Sequence, residues 1–266
     1  MPAFPWVTFE RGSSATAPAA PAAFRPRPGH TAASRERLWA LAGGPELDPP
    51  RQLAARGSGE EIQSTPVAVG PMGGLRHTLR AMASEAAARR DPATVIARIR
   101  PMVDASQREL AEQLGRGVPR DAVAALHSRL IDHAVVGLFH LARYWAGIRT
   151  PVAPLTAVAV GGYGESLVLP AVSPELLLLV PEGGRERDES ERMAAHLVEA
   201  LRTIGFQPMY GMSTTRACLH AARAEPRVLA SLSGARHLAG AHAAWARLRA
   251  AVDEIRWGRG IQVLHT

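Results

Sequence analysis

The chain contains no lysine and no asparagine, a single cysteine (Cys218), and aromatic residues at only 5% of its 266 positions. One cysteine excludes an intrachain disulfide and gives no ground for assigning an oxidising compartment. It also excludes multi-thiolate zinc sites, and the ten histidines are scattered without the His-x-x-x-His spacing that puts two ligands on one helix face. The shortage of aromatics removes the stacking surfaces on which single-stranded nucleic acids bind. No segment approaches the ~18 continuous apolar residues of a membrane span, and the N-terminus has no apolar h-region of a secretory signal. A cytoplasmic location is therefore expected.

What the chain has in quantity is arginine, alanine and proline. Its formal net charge is +7 and its pI about 10.9, and all 31 basic residues are arginine. A strongly basic balance can mark a polyanion partner. In a lysine-free, alanine-rich chain the same balance reads as a bias in residue choice, so neither nucleic acid nor membrane is expected as a partner. A hydrophobic content of 47% supports one core of roughly 150–200 residues.

Four segments follow. Residues 1–69 are rich in Pro, Ala, Gly, Ser and Arg without a sustained period and are expected to be a disordered tail, interrupted at most by a short helix at 34–42. Residues 70–150 are expected to be helical. Leu75, Leu79 and Met82 recur at helical spacing over 71–88, and Asp91-Pro92 opens a second helix that Pro101 interrupts before it continues to about Gly115. A long helix over 119–146 carries Val123, Leu126, Leu130, Ala134, Leu138, Leu141 and Trp145 on one stripe, with His133 and His140 at its boundary. Residues 151–256 hold the strands, and 257–266 form a second tail. Within that third segment, 182–188 reads as a polar turn, 189–204 as a helix, 206–212 as an edge strand marked by Pro208, and 241–256 as a closing helix.

The chain is organised around residues 155–181. Two apolar runs, 157–160 and 175–180, each stop at glycine or proline and read as buried strands. Between them lies Gly161-Gly162-Tyr163-Gly164-Glu165-Ser166. Residues without Cβ let backbone N–H groups approach an anion closely. A glycine turn facing Glu175 therefore suggests a phosphate cradle beside a carboxylate.

This layout resembles the nucleotidyltransferase superfamily, and within it the N-terminal domain of the bacterial PII uridylyltransferases. The family pattern is a Gly-Gly or Gly-Ser pair after the first strand, about ten residues, then acid-hydrophobic-acid at the start of the next strand. Here the pair is Gly161-Gly162 and the second part reads Ser173-Pro174-Glu175-Leu176. The leucines at 176–179, Pro170, the long helix before the first strand and the segment 214–240 are similar too, so the resemblance covers about 75–248.

The resemblance implies an α/β (α+β) fold with a small mixed sheet and Mg²⁺-dependent transfer of UMP from UTP to a tyrosine of a PII signalling protein in nitrogen regulation. Gly161, Gly162, Gly164 and Ser166 would hold the nucleoside triphosphate, and Ser173 and Glu175 would stand at the catalytic acid positions, with Glu175 the metal ligand. The departure is at Ser173. Phosphoryl-type transfer asks a protein mainly for position and charge, and a neutral hydroxyl replaces the first metal carboxylate. Ala217 and Gly234 likewise replace acids of the family. In the family a Gly-Gly-Leu-Arg-Asp motif and further domains follow, whereas Gly73-Gly74-Leu75-Arg76-His77 lies upstream. The expectation is a degenerate, shortened relative with weakened or lost activity, or a pseudo-enzyme that still binds nucleotide or the PII protein.

Overall fold

The computed structural model describes residues 91–150 and 152–263, with side chains described as far as residue 258. The expected tail at 1–69, its helix at 34–42, and the helical run with the glycine motif at 71–88 lie outside the described residues.

The described chain runs α1 (Pro92–Gly115), α2 (Arg120–Trp145), β1 (Thr156–Ala159), α3 (Gly161–Gly164), β2 (Glu175–Leu179), α4 (Arg185–Thr203), β3 (Met209–Ser213), α5 (Thr215–Ala224), α6 (Pro226–Ser233), β4 (Arg236–Gly240) and α7 (His242–Val263). Asp91 caps α1 in an extended conformation. Its Oδ1 accepts the Ala93 N–H at 3.1 Å and Pro92 occupies the first helical position, where a missing N–H costs nothing. The helix carries Pro101 within it.

The four strands form one mixed sheet in the order β3-β2-β1-β4. β1 pairs antiparallel with β2, Thr156 opposite Leu179 and Ala159 opposite Leu176, while β2 and β3 run parallel. β4 closes the other edge, antiparallel to β1, with a register irregularity between Ala157 and Val158. Helices cover both faces. Ala157, Ala159, Leu176 and Leu178 join the core built by α1, α2 and α4, whereas Val158, Val160, Leu177 and Leu179 pack with Cys218, Leu232, Leu248 and Val252 of α5, α6 and α7. That is why the strands read as unbroken apolar runs: successive side chains point to opposite faces, and here neither face meets water.

α2 is the central helix of one layer, with Val123, Leu130, Ala134 and Leu138 fully buried. By length and mean hydropathy (1.3) it could cross a bilayer, but 67% of that window is buried inside the fold. Packing explains its apolar character. Three boundaries differ from the sequence reading, the first being β3, which starts at Met209 instead of 206. α4 starts at Arg185 instead of 189, because the polar run 185–188 is helical and is held by ion pairs from Arg185 to Glu189 (2.7 Å) and Arg187 to Glu191 (2.9 Å). α7 runs on to Val263, beyond the expected end at 256.

Candidate functional site

The glycine turn sits at the end of β1 and opens onto the start of β2. Val160 is extended (φ −132°), and Gly161 then takes φ +57°, a left-handed value that a residue with a Cβ reaches only with strain. The chain makes one short helical turn, in which the Gly164 N–H donates to Val160 O at 3.0 Å and the Glu165 N–H to Gly161 O at 3.2 Å. It ends in a Schellman arrangement, with the Ser166 N–H donating to Tyr163 O (3.1 Å) and the Leu167 N–H to Gly162 O (2.8 Å). Ser166 is the left-handed residue of that cap, at φ +61°. Serine is unusual there, because glycine adopts the conformation without a Cβ penalty.

Glu175 faces this turn. A Cβ on Gly161 would overlap Glu175 Oε2, so the carboxylate fills the space that the missing side chain leaves. Burial raises the Glu175 carboxyl above its ordinary value, and a hydrogen bond from the Gly162 N–H opposes that rise by favouring the anion. The structure therefore brings Gly161, Gly162 and Glu175 together, with Glu175 as the acceptor at the turn. Ser173 lies in the loop before β2 and is half-buried, and Pro174 is buried, its carbonyl accepting the Met209 N–H at 2.9 Å. Gly164 faces away from this mouth: a Cβ there would come within 2.5 Å of the Gly234 carbonyl oxygen, so its role is close backbone approach between α3 and the end of α6.

Behind the turn is a polar cluster that the sequence reading missed. Tyr163 is fully buried and donates its phenol to Asp132 Oδ1 at 2.7 Å. Arg236 at the start of β4 grips the same carboxylate, Nη1 to Oδ2 at 2.9 Å and Nη2 to Oδ1 at 3.2 Å. It also donates Nε to Gly164 O (2.9 Å) and Nη2 to Tyr163 O (3.2 Å), with its guanidinium 5.6 Å from the Tyr163 ring centre. Burial, reinforced by the Asp132 charge, pushes the Tyr163 phenol well above its usual range, so this hydroxyl is a fixed donor and not a base. The cluster ties the turn to α2 and β4. A second tether comes from His127 Nδ1 to Val168 O at 3.0 Å, and burial lowers that imidazole despite the carbonyl. One signal for the cluster was present in the sequence: Asp132 is the single acid between Asp121 and Glu165, set in the apolar stretch of α2.

The donor set for a divalent cation is thin. Mg²⁺ requires near-octahedral oxygen coordination, with carboxylate charge beside substrate phosphates. At this turn Ser173 and Glu175 offer one hydroxyl and one carboxylate, and that carboxylate lies packed against Gly161. Among the described residues no group of three or more His, Cys, Asp and Glu side chains is placed to hold a metal. The residues present do not fit Mg²⁺.

No family model matches the chain. Over 145 residues it is 29% identical to the bifunctional uridylyltransferase/uridylyl-removing enzyme of Methylococcus capsulatus, covering 53% of this chain and 15% of that protein. Over 156 residues it is 28% identical to the protein of the same name from Xanthomonas campestris pv. campestris, covering 59% of this chain and 17% of the other. The chain thus spans about a sixth of the length of these relatives, and the matches support a distant relationship to the uridylyltransferases.

Proposed function

We propose that this chain is a nucleotidyltransferase-fold protein of the uridylyltransferase kind whose transfer activity is lost or strongly weakened, and which acts by binding a nucleoside triphosphate, UTP first, or a PII signalling protein. The observation that carries the reading is Glu175. In an anion cradle, backbone N–H groups at a glycine turn point at the phosphate. Here the chain's own carboxylate lies against Gly161, with the Gly162 N–H beside it favouring its anionic form. An incoming phosphate would have to displace that carboxylate or meet its negative charge.

The second acid position offers no remedy. Ser173 contributes a hydroxyl where a carboxylate would draw a cation that could neutralise Glu175 and the phosphates together. Removing one such electrostatic group typically costs a few kcal/mol in the transition state, roughly 10²–10³ in rate. The fold is otherwise intact around the turn, since the Asp132, Tyr163 and Arg236 cluster holds it rigidly, so binding can persist where chemistry does not.

Calorimetric titration with UTP and ATP, with and without Mg²⁺, tests this. The reading expects weak binding that Mg²⁺ does not improve, and tighter binding in Ser173→Asp/Pro174→Ile/Glu175→Asp in the presence of Mg²⁺. Strong Mg²⁺-dependent binding by the unaltered chain would contradict it.

A further inference from the structure

At the end of the sheet away from the glycine turn lies a cleft of about 760 Å³. β2 begins at Glu175 beside the turn and ends at Leu179, which lines the cleft, so at the rise of a strand the two places are roughly 13 Å apart. The cleft is not an extension of the candidate nucleotide site.

Its two sides differ in sign. On one side α5 presents Arg216 and Arg223 on the same face as Leu219, and α7 presents Arg247 on the same face as Ala244. All three arginines are exposed. Thr214 caps α5 through its hydroxyl, which accepts the Ala217 N–H at 3.2 Å, and Thr215 and Arg216 line the cleft. The positive end of that helix dipole therefore adds to the arginines. On the other side Glu182 and Glu186 are exposed at the start of α4, with Glu189 buried a turn further on and bonded to Arg185 at 2.7 Å. Leu179, Val180, Leu219 and Ala244 supply apolar lining.

Charge of both signs in one concave site restricts what fits. A simple anion meets Glu182 and Glu186, and a simple cation meets the arginines. A neutral apolar ligand strips water from both without returning any partner. A ligand with a carboxylate at one end and an ammonium at the other satisfies both walls, and a guanidinium matches a carboxylate bidentately. The volume lies within the range of ordinary small-ligand sites. We propose that this cleft binds a short zwitterionic peptide, its terminal carboxylate held by Arg216 at the N-terminal end of α5 together with Arg247 of α7, and its free amine held by Glu182 and Glu186. This inference stands apart from the nucleotide reading and survives its failure.

The test is calorimetry of the full chain with trialanine, N-acetyl-trialanine and trialanine amide. Saturable binding of free trialanine is expected, with each terminal cap weakening it by at least about tenfold, the worth of one charge-assisted contact. Arg216→Gln/Arg247→Gln should abolish the discrimination against the amide, and Glu182→Gln/Glu186→Gln the discrimination against the acetyl form. Thermal melts followed by circular dichroism establish that each variant is folded. Absence of saturable binding at millimolar trialanine overturns the proposal. So does equal binding of the capped peptides, or folded variants that discriminate as the parent does.

Discussion

Glu175 and Gly161 share one space: the carboxylate lies where a Cβ on Gly161 would be, and Gly161 holds φ +57° to let the chain pass it. The same glycine that would open a cradle for phosphate thus opens it for an internal carboxylate. Gly161→Ala meets both obstacles. Left-handed backbone costs a non-glycine residue about 1–2 kcal/mol, and the overlap with Glu175 adds a smaller penalty, since the end of that side chain must swing aside. Urea unfolding of Gly161→Ala should show the sum, and adding Glu175→Ala should recover the second part only. A neutral Gly161→Ala would contradict the placement of Glu175.

The pair of buried Asp132 and partly buried Arg236 supports the second expectation. Asp132 is 6% exposed at its side chain and serves both Tyr163 and Arg236. Asp132→Ala should cost about 2–4 kcal/mol, because it strands a partly buried guanidinium and a fully buried phenol. Asp132→Ala/Arg236→Met should cost less than the sum of the single changes in denaturant unfolding. Additive losses would show that the two side chains do not act together.

These two pairs differ in how legible they were. Strands β1 and β2 announced themselves as apolar runs ended by glycine and proline, because burial on both faces leaves polar residues only at their first positions, Thr156 and Glu175. The glycine turn and Glu175 lie 14 positions apart across one antiparallel connection and were legible from spacing. Asp132 and Arg236 are 104 residues apart, and no local period relates a helix residue to a strand residue at that distance. β4 itself escaped the reading. Arg236–Gly240 is an edge strand in which only Leu238 and Ala239 are buried, too few to show an alternation.

Ser166 offers a stabilising change. It takes φ +61° at the left-handed position of the cap, where glycine carries no Cβ penalty. Ser166→Gly should raise stability by about 0.5–1 kcal/mol, read as a higher urea midpoint at constant slope. A lower midpoint would mean that the hydroxyl makes a contact that outweighs the strain.

Acid sensitivity should come from imidazoles that are buried or partly buried. Burial, aided by the Arg143 charge, lowers His140 from 6.5 to about 4, and burial also lowers His127 and His237. The unfolded chain takes up these protons first, so the stability is fully present above about 6.5 and is lost as pH falls toward 4. For His140 the loss amounts to up to about 3 kcal/mol. Melting temperatures between pH 7 and 4 should therefore fall less steeply in His140→Gln than in the parent, and parallel curves would contradict the assignment.

The central claim is that Glu175 occupies the glycine turn and Ser173 leaves the transfer site without its metal charge. Label transfer from α-labelled UTP to a PII protein, with Mg²⁺ and the unaltered chain, tests it most directly. The account predicts at most trace incorporation, which Mg²⁺ does not raise. Multiple Mg²⁺-dependent turnovers, abolished by Glu175→Ala, would contradict it.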